Sequence, residues 1–311
     1  MKRLAALTGG TGFLGRHVIR EFADQGWDVR ILARSQPDLP ELSDVEIELT
    51  LGDLSDMTAL QTLANGADAF IHIAGVVKAK NLTDFMHANR DGAALAAKAW
   101  GQAASGGRFL LISSMAARAP ELSHYAASKH AGEQAVAQAL ADKDWRILRP
   151  GAIYGRFDQE SLKVLKLSNA PLQLMLNAPS ARVAMVDARD AARAIVAAAQ
   201  DKDIGAIHEI SDARHDGYGW GELAGIAAKA LEKRPRPVRL PSPVLKGIGG
   251  VGSMIAGVTG GVEMLTPGKV REILHRDWSV QAPLPETLYK PQIPLERGLR
   301  EMAEASGLLS R

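Results

Sequence analysis

The stretch LTGGTGFLG, Leu7–Gly15, restricts the fold more than any other part of the chain. Its glycines form a Gly-x-Gly-x-x-Gly pattern that overlaps a Gly-x-x-Gly-x-x-Gly pattern. The apolar run Leu4–Leu7 predicts a strand before the turn, and apolar residues at helical spacing predict a helix from Gly12 to Gln25. Such a turn binds a pyrophosphate, because backbone N–H groups and the helix dipole face the anion. This context favours a dinucleotide site over a turn that binds nothing. The residues predicted to form it are Gly9, Thr11, Gly12, Phe13, Leu14 and Gly15.

The composition excludes several classes of protein. A length of 311 residues predicts one large or two smaller domains, and 46% apolar residues suffice for a sizeable core. The net charge of +2 gives no bulk attraction to nucleic acid, and the absence of cysteine excludes disulfides and fits a reducing compartment. Neither a signal-peptide core nor an uncharged run of about 20 residues is present. We therefore expect a cytoplasmic protein that binds no nucleic acid and no metal.

The residue after the second strand indicates which dinucleotide is bound. Asp28–Ala33 predicts that strand, and Arg34 follows it. An acidic residue here would accept hydrogen bonds from the ribose hydroxyls of NAD, whereas an arginine suits the 2′-phosphate of NADP. The sequence favours NADP(H) over NAD(H). The alternative is that Arg34 is an ordinary surface arginine.

Two further strand ends carry candidate cofactor contacts. Val45–Leu51 predicts the third strand, and Asp53 after it accepts from an adenine amino group or caps a helix. Ala69–Ile73 predicts a buried strand, and the small residues after it allow close approach of a cofactor. The contacts predicted at these two ends are Asp53, Leu54, Ala74 and Gly75. Asn89, inside the following helical pattern, is either solvated or marks a local break that holds a water.

The central part of the chain carries a candidate catalytic set. Gly106–Ser114 predicts a buried strand that ends in two serines. Tyr125 and Lys129 are spaced i and i+4, so one helix face presents both. An ammonium beside a phenol lowers the phenol's pKa towards the working pH, and a serine hydroxyl can hold a substrate oxygen. The pair follows a Ser-Ser strand end in a chain with this glycine turn, which favours redox chemistry over coincidence.

These residues resemble the short-chain dehydrogenase/reductase superfamily in its extended branch, the NAD(P)-dependent epimerase/dehydratase-like proteins. The resemblance covers almost the full length. The matching segments are TGGTGFLG, GDL at 52–54, HIAG at 72–75, 89–92, SS at 113–114, YAASK at 125–129, RPGAIYG at 149–155, DWSV at 277–280 and KPQIPLERGLREM at 290–302.

The resemblance implies a role for each matching residue. Tyr125 is the general acid or base, and Lys129 binds the nicotinamide ribose and tunes Tyr125. Ser114, rather than Ser113, holds the reacting oxygen, and Asn89 supports a proton-relay water. Tyr125, Lys129 and Pro150 also contact the cofactor. A homodimer formed through helices beside the active site is implied as well.

The predicted fold is α/β, a Rossmann-type doubly wound parallel sheet with a smaller, mostly helical C-terminal substrate lobe. Residues 1–150 form the dinucleotide-binding domain, to which 181–212 return. Residues 151–180 and 213–311 form the substrate lobe. The acids Asp187 and Asp190 are interpreted as capping or anchoring groups rather than catalytic ones.

The glycine-rich segment 244–265 has three interpretations. It is uncharged from Gly247 to Val262, and it is too short and too rich in glycine for a membrane span. An apolar lid over the substrate pocket is favoured, because glycine permits movement. Contact with a membrane surface, at the inner face of a membrane, is the second interpretation, and a buried helix is the third.

Three functions remain open from the sequence. The favoured one is an NADP(H)-dependent oxidoreductase that acts on a carbonyl or secondary alcohol of an apolar substrate, such as a ceramide- or sterol-type ketone. A nucleotide-sugar epimerase or dehydratase is the first alternative. The 11-residue Ser-to-Tyr spacing, and Ala117–Pro120 in place of an aromatic-Gly pair, count against it. Its candidate diphosphate ligands are Arg156, Lys163, Lys166, Arg182 and Arg214. A non-catalytic nucleotide-binding scaffold is the second alternative.

Overall fold

The computed structural model describes residues 2–103, 106–168, 172–176, 178–201, 207–240 and 266–309. The strands of this part are, in chain order, β1 (Leu4–Thr8), β2 (Asp28–Ala33), β3 (Ile47–Leu51), β4 (Ala69–His72), β5 (Arg108–Ile112), β6 (Trp145–Pro150), β7 (Ala152–Tyr154), β8 (Leu172–Leu176), β9 (Arg182–Val183), β10 (Met185–Asp187), β11 (Ile207–Ile210), β12 (Arg236–Leu240) and β13 (Asp277–Trp278).

The helices alternate with the strands in the first half of the chain. They are α1 (Phe13–Asp24), α2 (Met57–Ala64), α3 (Leu82–Met86), α4 (Gly92–Gln102), α5 (His124–Ala139), α6 (Gln159–Ser168), α7 (Ala188–Gln200), α8 (Trp220–Ala230), α9 (Pro267–Leu274) and α10 (Leu295–Ala305). Short 3-10 turns lie at Pro40–Leu42 and Met115–Arg118, and a π-helical turn at His87–Asp91 joins α3 to α4.

The central sheet has seven strands in the order β11-β6-β5-β4-β1-β2-β3. The pairs from β3 through β2, β1, β4 and β5 to β6 are all parallel. Strands β4 and β5 are buried along their whole length, as expected where helices cover both faces of a parallel sheet. The chain order reverses at β1, so the strand order is that of a doubly wound sheet. The predicted fold class is confirmed.

Amphipathic helices cover the sheet with small and aromatic side chains. Helix α1 buries Leu14, Val18, Ile19 and Phe22 and is followed by Gly26, whose φ of +77° reverses the chain into β2. Helix α4 buries mainly small side chains, four alanines and Gly92, together with Trp100. One core cluster joins α2, α4 and α5 to the sheet, and its largest members are Leu32, Leu60, Leu63, Phe70, Trp100, Phe109, Leu111, Leu140 and Ile147.

The chain divides into two compact units. The first comprises Met1–Arg149, Ala192–His208 and Leu284–Tyr289, and the second comprises Pro150–Ala191, Glu209–Pro283 and Lys290–Arg311. Besides helices, the described residues of the second unit form three two-stranded sheets, β7 with β10, β8 with β12 and β9 with β13. The sequence predicts a mostly helical lobe in this part of the chain, and it does not predict these strand pairs.

Asp190 anchors the C-terminal segment within the second unit. Its carboxylate is fully buried and accepts hydrogen bonds from the backbone N–H groups of Gln292 (3.0 Å) and Ile293 (2.8 Å). Asp187 accepts two hydrogen bonds from the side chain of Arg189, both at 2.9 Å. The interpretation of Asp190 as an anchor is confirmed.

The part of the chain described here contains no helix long and apolar enough to cross a membrane. The segment 244–265, to which the sequence assigned a lid, a membrane contact or a core helix, lies outside the described residues.

Candidate active site

The glycine turn after β1 approaches the end of β4 at contact distance. Gly9 has a φ of +74°, and its carbonyl oxygen accepts the N–H of Gly12 at 3.1 Å. A methyl group on Gly9 would lie 2.6 Å from the backbone nitrogen of Ala74. A methyl group on Gly15 would collide with the carbonyl oxygen of Gly9. These positions therefore require glycine, and the predicted contacts on β1 and β4 lie side by side.

The start of α1 is suited to an anion. Its N-cap, Gly12, has no side chain that could occupy the first-turn N–H groups, and the first turn of this fully described helix holds no acidic residue. Leu14 is buried, so only its backbone can face a ligand, whereas Phe13 is half-buried. Arg16 donates to the carbonyl of Thr11 (3.1 Å) and to Glu41 (2.6 Å). Its side chain thereby connects the glycine turn to the 3-10 turn at Pro40–Leu42.

Arg34 and Asp53 lie at the ends of the neighbouring strands β2 and β3. Arg34 is exposed and has neither a hydrogen bond nor an ion pair with another described residue. Asp53 accepts hydrogen bonds from the N–H (2.8 Å) and hydroxyl (2.6 Å) of Ser55, which lower the pKa of Asp53 with a smaller contribution from the charge of Arg34. The cap of α2 is Asp56, which accepts from Ala59 at 3.0 Å.

Leu54 and Pro150 are two further residues that the sequence predicts to contact the cofactor. Leu54 packs at the start of α4, where a methyl group on Gly92 would lie 3.0 Å from it. Pro150 ends β6 and is the first residue of the second unit.

Asn89 lies at the centre of the π-helical turn and is buried. Its amide oxygen accepts the N–H of Val76 (2.8 Å), and its amide nitrogen donates to the carbonyl of Val76 (3.0 Å) and to the hydroxyl of Ser128 (2.9 Å). Both N–H groups are thereby used, so the side chain connects the loop after β4 with α5. The local break predicted at Asn89 is confirmed, while its water-holding role stays a prediction.

Lys129 lies at the edge where Asn89 and Gly75 meet. A methyl group on Gly75 would lie 2.8 Å from Oδ1 of Asn89 and 3.9 Å from Nζ of Lys129. The ammonium of Lys129 donates to the carbonyl of Ile112 at the end of β5 (2.8 Å). Burial lowers the pKa of Lys129 to about 8, and the charge of Glu133 opposes this shift.

The two serines after β5 have different partners. Ser113 is buried, and its hydroxyl donates to Glu133 over 2.5 Å. The hydroxyl of Ser114 accepts the N–H of Ala116 (3.2 Å) at the start of a 3-10 turn, which leaves its own proton for donation. Ser114 is half-buried, so of the two it is the one that can reach a ligand.

Tyr125 lies in the first turn of α5, which begins after the cap Ser123 (Oγ to the N–H of Ala126, 2.9 Å). Its ring is half-buried and contacts Phe85 with ring centroids 6.2 Å apart. One helical turn later Lys129 follows on the same face. The structure thus brings Gly75, Asn89, Lys129 and the end of β5 together, with Tyr125 one turn away along α5.

Two buried groups at this edge escaped the sequence analysis. His72 at the end of β4 bonds Thr8 through Nδ1 (2.9 Å), and burial lowers its pKa to about 3, so it is neutral. Glu133 bonds Ser113 and is held by Arg149 of β6 at 2.9 and 2.6 Å. The signal for Glu133 was present in the sequence, since Tyr125, Lys129 and Glu133 repeat at intervals of four residues along one helix face.

A doubly wound sheet whose glycine turn and Tyr-x-x-x-Lys helix share one edge defines an NAD(P)-dependent enzyme of the short-chain dehydrogenase/reductase type. The chain belongs to the NAD dependent epimerase/dehydratase family, whose sequence model matches residues 5–211. The predicted superfamily and the predicted enzyme class are confirmed.

Individual relatives extend this result. The chain is 44% identical over 284 residues to a ceramide reductase of Caulobacter vibrioides, covering 91% of this chain and 88% of the relative. Among solved structures, that of gox2253 matches with a TM-score of 0.76 at 20% identity and covers 100% of both chains. MoeE5 in complex with UDP-glucuronic acid and NAD matches with a TM-score of 0.73 at 17% identity, covering 98% of this chain and 99% of that one. At such identities the solved structures support the fold alone.

Proposed function

We propose that this protein is an NADP(H)-dependent reductase that converts a ketone of a ceramide-type lipid into the secondary alcohol. The observation that carries the proposal is the 44% identity, over 91% of this chain, to a protein named ceramide reductase. The presence of Ser114, Tyr125 and Lys129 supports chemistry at this site rather than a scaffold that only binds nucleotide. An apolar substrate also agrees with the uncharged composition of 247–262.

The nucleotide fits the edge formed by β1, β2 and β4. The uncapped start of α1 offers N–H groups to a pyrophosphate, and glycine at position 9 lets the turn approach β4. The exposed guanidinium of Arg34 would bind a 2′-phosphate. A carboxylate that could accept from free ribose hydroxyls does not directly follow β2, where the sequence is Arg34-Ser35-Gln36. We therefore assign the preference to NADP(H).

Each residue of the catalytic set has a separate task. When bound, the reduced nicotinamide supplies the hydride for the carbonyl carbon. Ser114 donates a hydrogen bond to the carbonyl oxygen, and Tyr125 gives that oxygen its proton. Lys129 holds the ribose and stabilises the phenolate that Tyr125 becomes. Asn89 keeps the loop after β4 and helix α5 in register around these groups.

Turnover of a defined lipid tests the proposal. Purified enzyme would be given a long-chain 3-ketoceramide in detergent micelles with NADPH or NADH, and the alcohol would be measured by mass spectrometry. We expect NADPH-dependent reduction that Tyr125→Phe lowers at least about 100-fold, the usual size of a general acid effect. Tyr154→Phe is the matched control, because it removes the buried hydroxyl of a tyrosine in the second unit.

Parallel substrates separate the alternatives. Turnover of UDP- or dTDP-sugars without reduction of the ketolipid would replace the proposal with a nucleotide-sugar epimerase or dehydratase. If Tyr125→Phe left every activity unchanged, a nucleotide-binding scaffold would be the better description. The division into a cofactor domain and a substrate lobe, the homodimer, and the membrane-surface contact through 244–265 stay predictions.

A further inference from the structure

Helix α5 is fastened to the end of β5 at two adjacent residues of the strand. Lys129 donates to the carbonyl of Ile112 (2.8 Å), and Glu133, one turn further along α5, accepts from the hydroxyl of Ser113 (2.5 Å). The next residue of the chain is Ser114, the group that would hold the substrate oxygen. The two contacts therefore set the distance between the strand end and the helix face that carries Tyr125.

Arg149 fixes the second contact from the neighbouring strand β6. Its Nε and Nη2 donate to the two carboxylate oxygens of Glu133 at 2.9 and 2.6 Å. The side chains are only 5% exposed for Glu133 and 16% for Arg149. A buried carboxylate is stable only when it is paired and hydrogen-bonded, which Arg149 and Ser113 together provide. Glu133 on α5 thus connects this helix to the end of β5 and to β6.

We propose that Glu133 is a positioning residue of the reductase: by tying the end of β5 to helix α5, it fixes Ser114 relative to Tyr125 and Lys129. Glu133 itself touches neither substrate nor cofactor. The inference rests on the proposed function only in assigning the redox roles to these three residues.

The charges around Lys129 give this role a signature that a purely structural contact lacks. Charged and titratable groups on three elements surround Lys129. Glu133 and Tyr125 lie on the same helix, and His72 on β4 interacts with Lys129 electrostatically. Arg149 on β6 forms an ion pair with Glu133. His72 is neutral, since burial lowers its pKa to about 3. Glu133 is therefore the anion that keeps Lys129 protonated while burial lowers the pKa of Lys129 to about 8.

The test measures NADPH affinity against pH by fluorescence titration, which requires no lipid substrate. Lys129 would hold the ribose as an ammonium, so the affinity should fall as the pH passes the pKa of Lys129. Glu133→Gln keeps the shape and removes the charge, and it should move this fall at least about one unit to lower pH. Glu121→Gln, at an exposed position before α5, is the matched control.

A second measurement separates positioning from charge. Ser113→Ala removes the hydrogen bond between Glu133 and the end of β5, and it keeps both the Lys129–Ile112 contact and the ion pair with Arg149. The pH at which the NADPH affinity falls should therefore not change. The same variant should lower kcat on the ketolipid about tenfold, because small misplacements of reacting groups are costly. Ser113→Thr, which restores the hydroxyl, should recover most of this loss. If Glu133→Gln did not fold, the kcat of Ser113→Ala and of Ser113→Thr would still decide whether this contact positions the reacting groups.

The proposal is overturned if Glu133→Gln has the same kcat as Glu121→Gln and loses NADPH affinity at the same pH. It is also overturned if Glu133→Gln and Ser113→Ala lower the midpoint of thermal unfolding but change neither kcat nor the pH dependence of NADPH affinity. If the wild-type enzyme reduced no ketolipid while the pH shifts appeared as expected, the proposed substrate would be wrong, and the positioning role would be decided by the kcat of Ser113→Ala on the substrate that the enzyme does turn over.

Discussion

Asn89 holds Val76 by both of its backbone polar groups: Oδ1 accepts the N–H at 2.8 Å, and Nδ2 donates to the carbonyl at 3.0 Å. The third hydrogen bond of the amide goes to Ser128, whose hydroxyl donates to the carbonyl of Tyr125 at 2.8 Å. The π-helical turn around Asn89 aims the side chain at the loop after β4, as such turns often do at functional sites. One amide thus connects the small-residue end of β4 with the helix that carries the proposed acid.

Removal of this amide should lower both stability and activity. Asn89→Ala leaves the N–H and carbonyl of Val76 without their side-chain partner in a half-buried position, so we expect a loss of about 3 kcal/mol in the free energy of unfolding. Because the loop and α5 lose their connection, kcat should also fall about tenfold. Urea unfolding and steady-state kinetics measure the two effects. Asn65→Ala, at an exposed residue after α2, is the control, and equal values for both variants would contradict this role of Asn89.

Two glycines with nearly the same backbone angle separate strain from close approach. Gly9 has a φ of +74° and Gly26 a φ of +77°, so alanine at either position costs about 1 kcal/mol of backbone strain. A methyl group on Gly9 would also lie 2.6 Å from the nitrogen of Ala74, whereas a methyl group on Gly26 would have no described atom within 4 Å apart from those of its chain neighbours.

We therefore expect Gly26→Ala to be slightly destabilised and to bind NADPH normally. Gly9→Ala should be destabilised by several times as much, and its affinity for NADPH should fall more than about tenfold, because the turn must move away from β4. Thermal denaturation and fluorescence titration give the two quantities. Normal NADPH affinity of Gly9→Ala would show that the turn does not bind the nucleotide.

The parts of the site that follow from local spacing were predictable from the sequence. The glycine turn, the strand ends and the Tyr125–Lys129 pair each lie within one strand-turn-helix segment, where periodicity fixes the geometry. The network of Ser113, Glu133 and Arg149 was not predictable, because its members come from β5, α5 and β6. Their meeting depends on the neighbouring places of β5 and β6 in the sheet and on the rotation of α5.

The same distinction applies to fold elements in the second half of the chain. The pairing of β8 with β12 joins segments that are far apart in sequence. A local pattern predicts that a segment is extended, and only tertiary packing chooses its partner. Asn89 lies between these cases: its poor helix propensity indicated a break, while its partner Val76 lies in the preceding loop.

Arg34 should decide between NADPH and NADH. Its exposed guanidinium follows β2 and has neither a hydrogen bond nor an ion pair with another described residue, so its replacement disturbs little of the fold. For Arg34→Ser we expect the KM for NADPH to rise about tenfold or more, since one charge-assisted phosphate contact contributes about 1.5–3 kcal/mol. The KM for NADH should be unchanged.

Steady-state kinetics with both nucleotides measures this preference. Lys2→Ser is the control, because Lys2 is 70% exposed and lies before β1, at the opposite edge of the sheet. An equal change of both KM values in Arg34→Ser, or a wild-type preference for NADH, would contradict the assignment of NADP(H).

Asp190 should be a stability residue rather than a catalytic one. Its buried carboxylate accepts the N–H groups of Gln292 and Ile293, and a buried charge that holds two donors is costly to remove. Asp190→Ala should lower the free energy of unfolding by about 2–4 kcal/mol, and Asp190→Asn by less, since an amide oxygen still accepts one hydrogen bond.

Urea unfolding followed by circular dichroism measures both changes in the free energy of unfolding. Asp216→Ala is the control, because the Asp216 side chain is 77% exposed. Below their unfolding transitions, all three variants should keep the wild-type kcat. A fall in kcat for Asp190→Asn without loss of stability would instead assign this carboxylate to the chemistry.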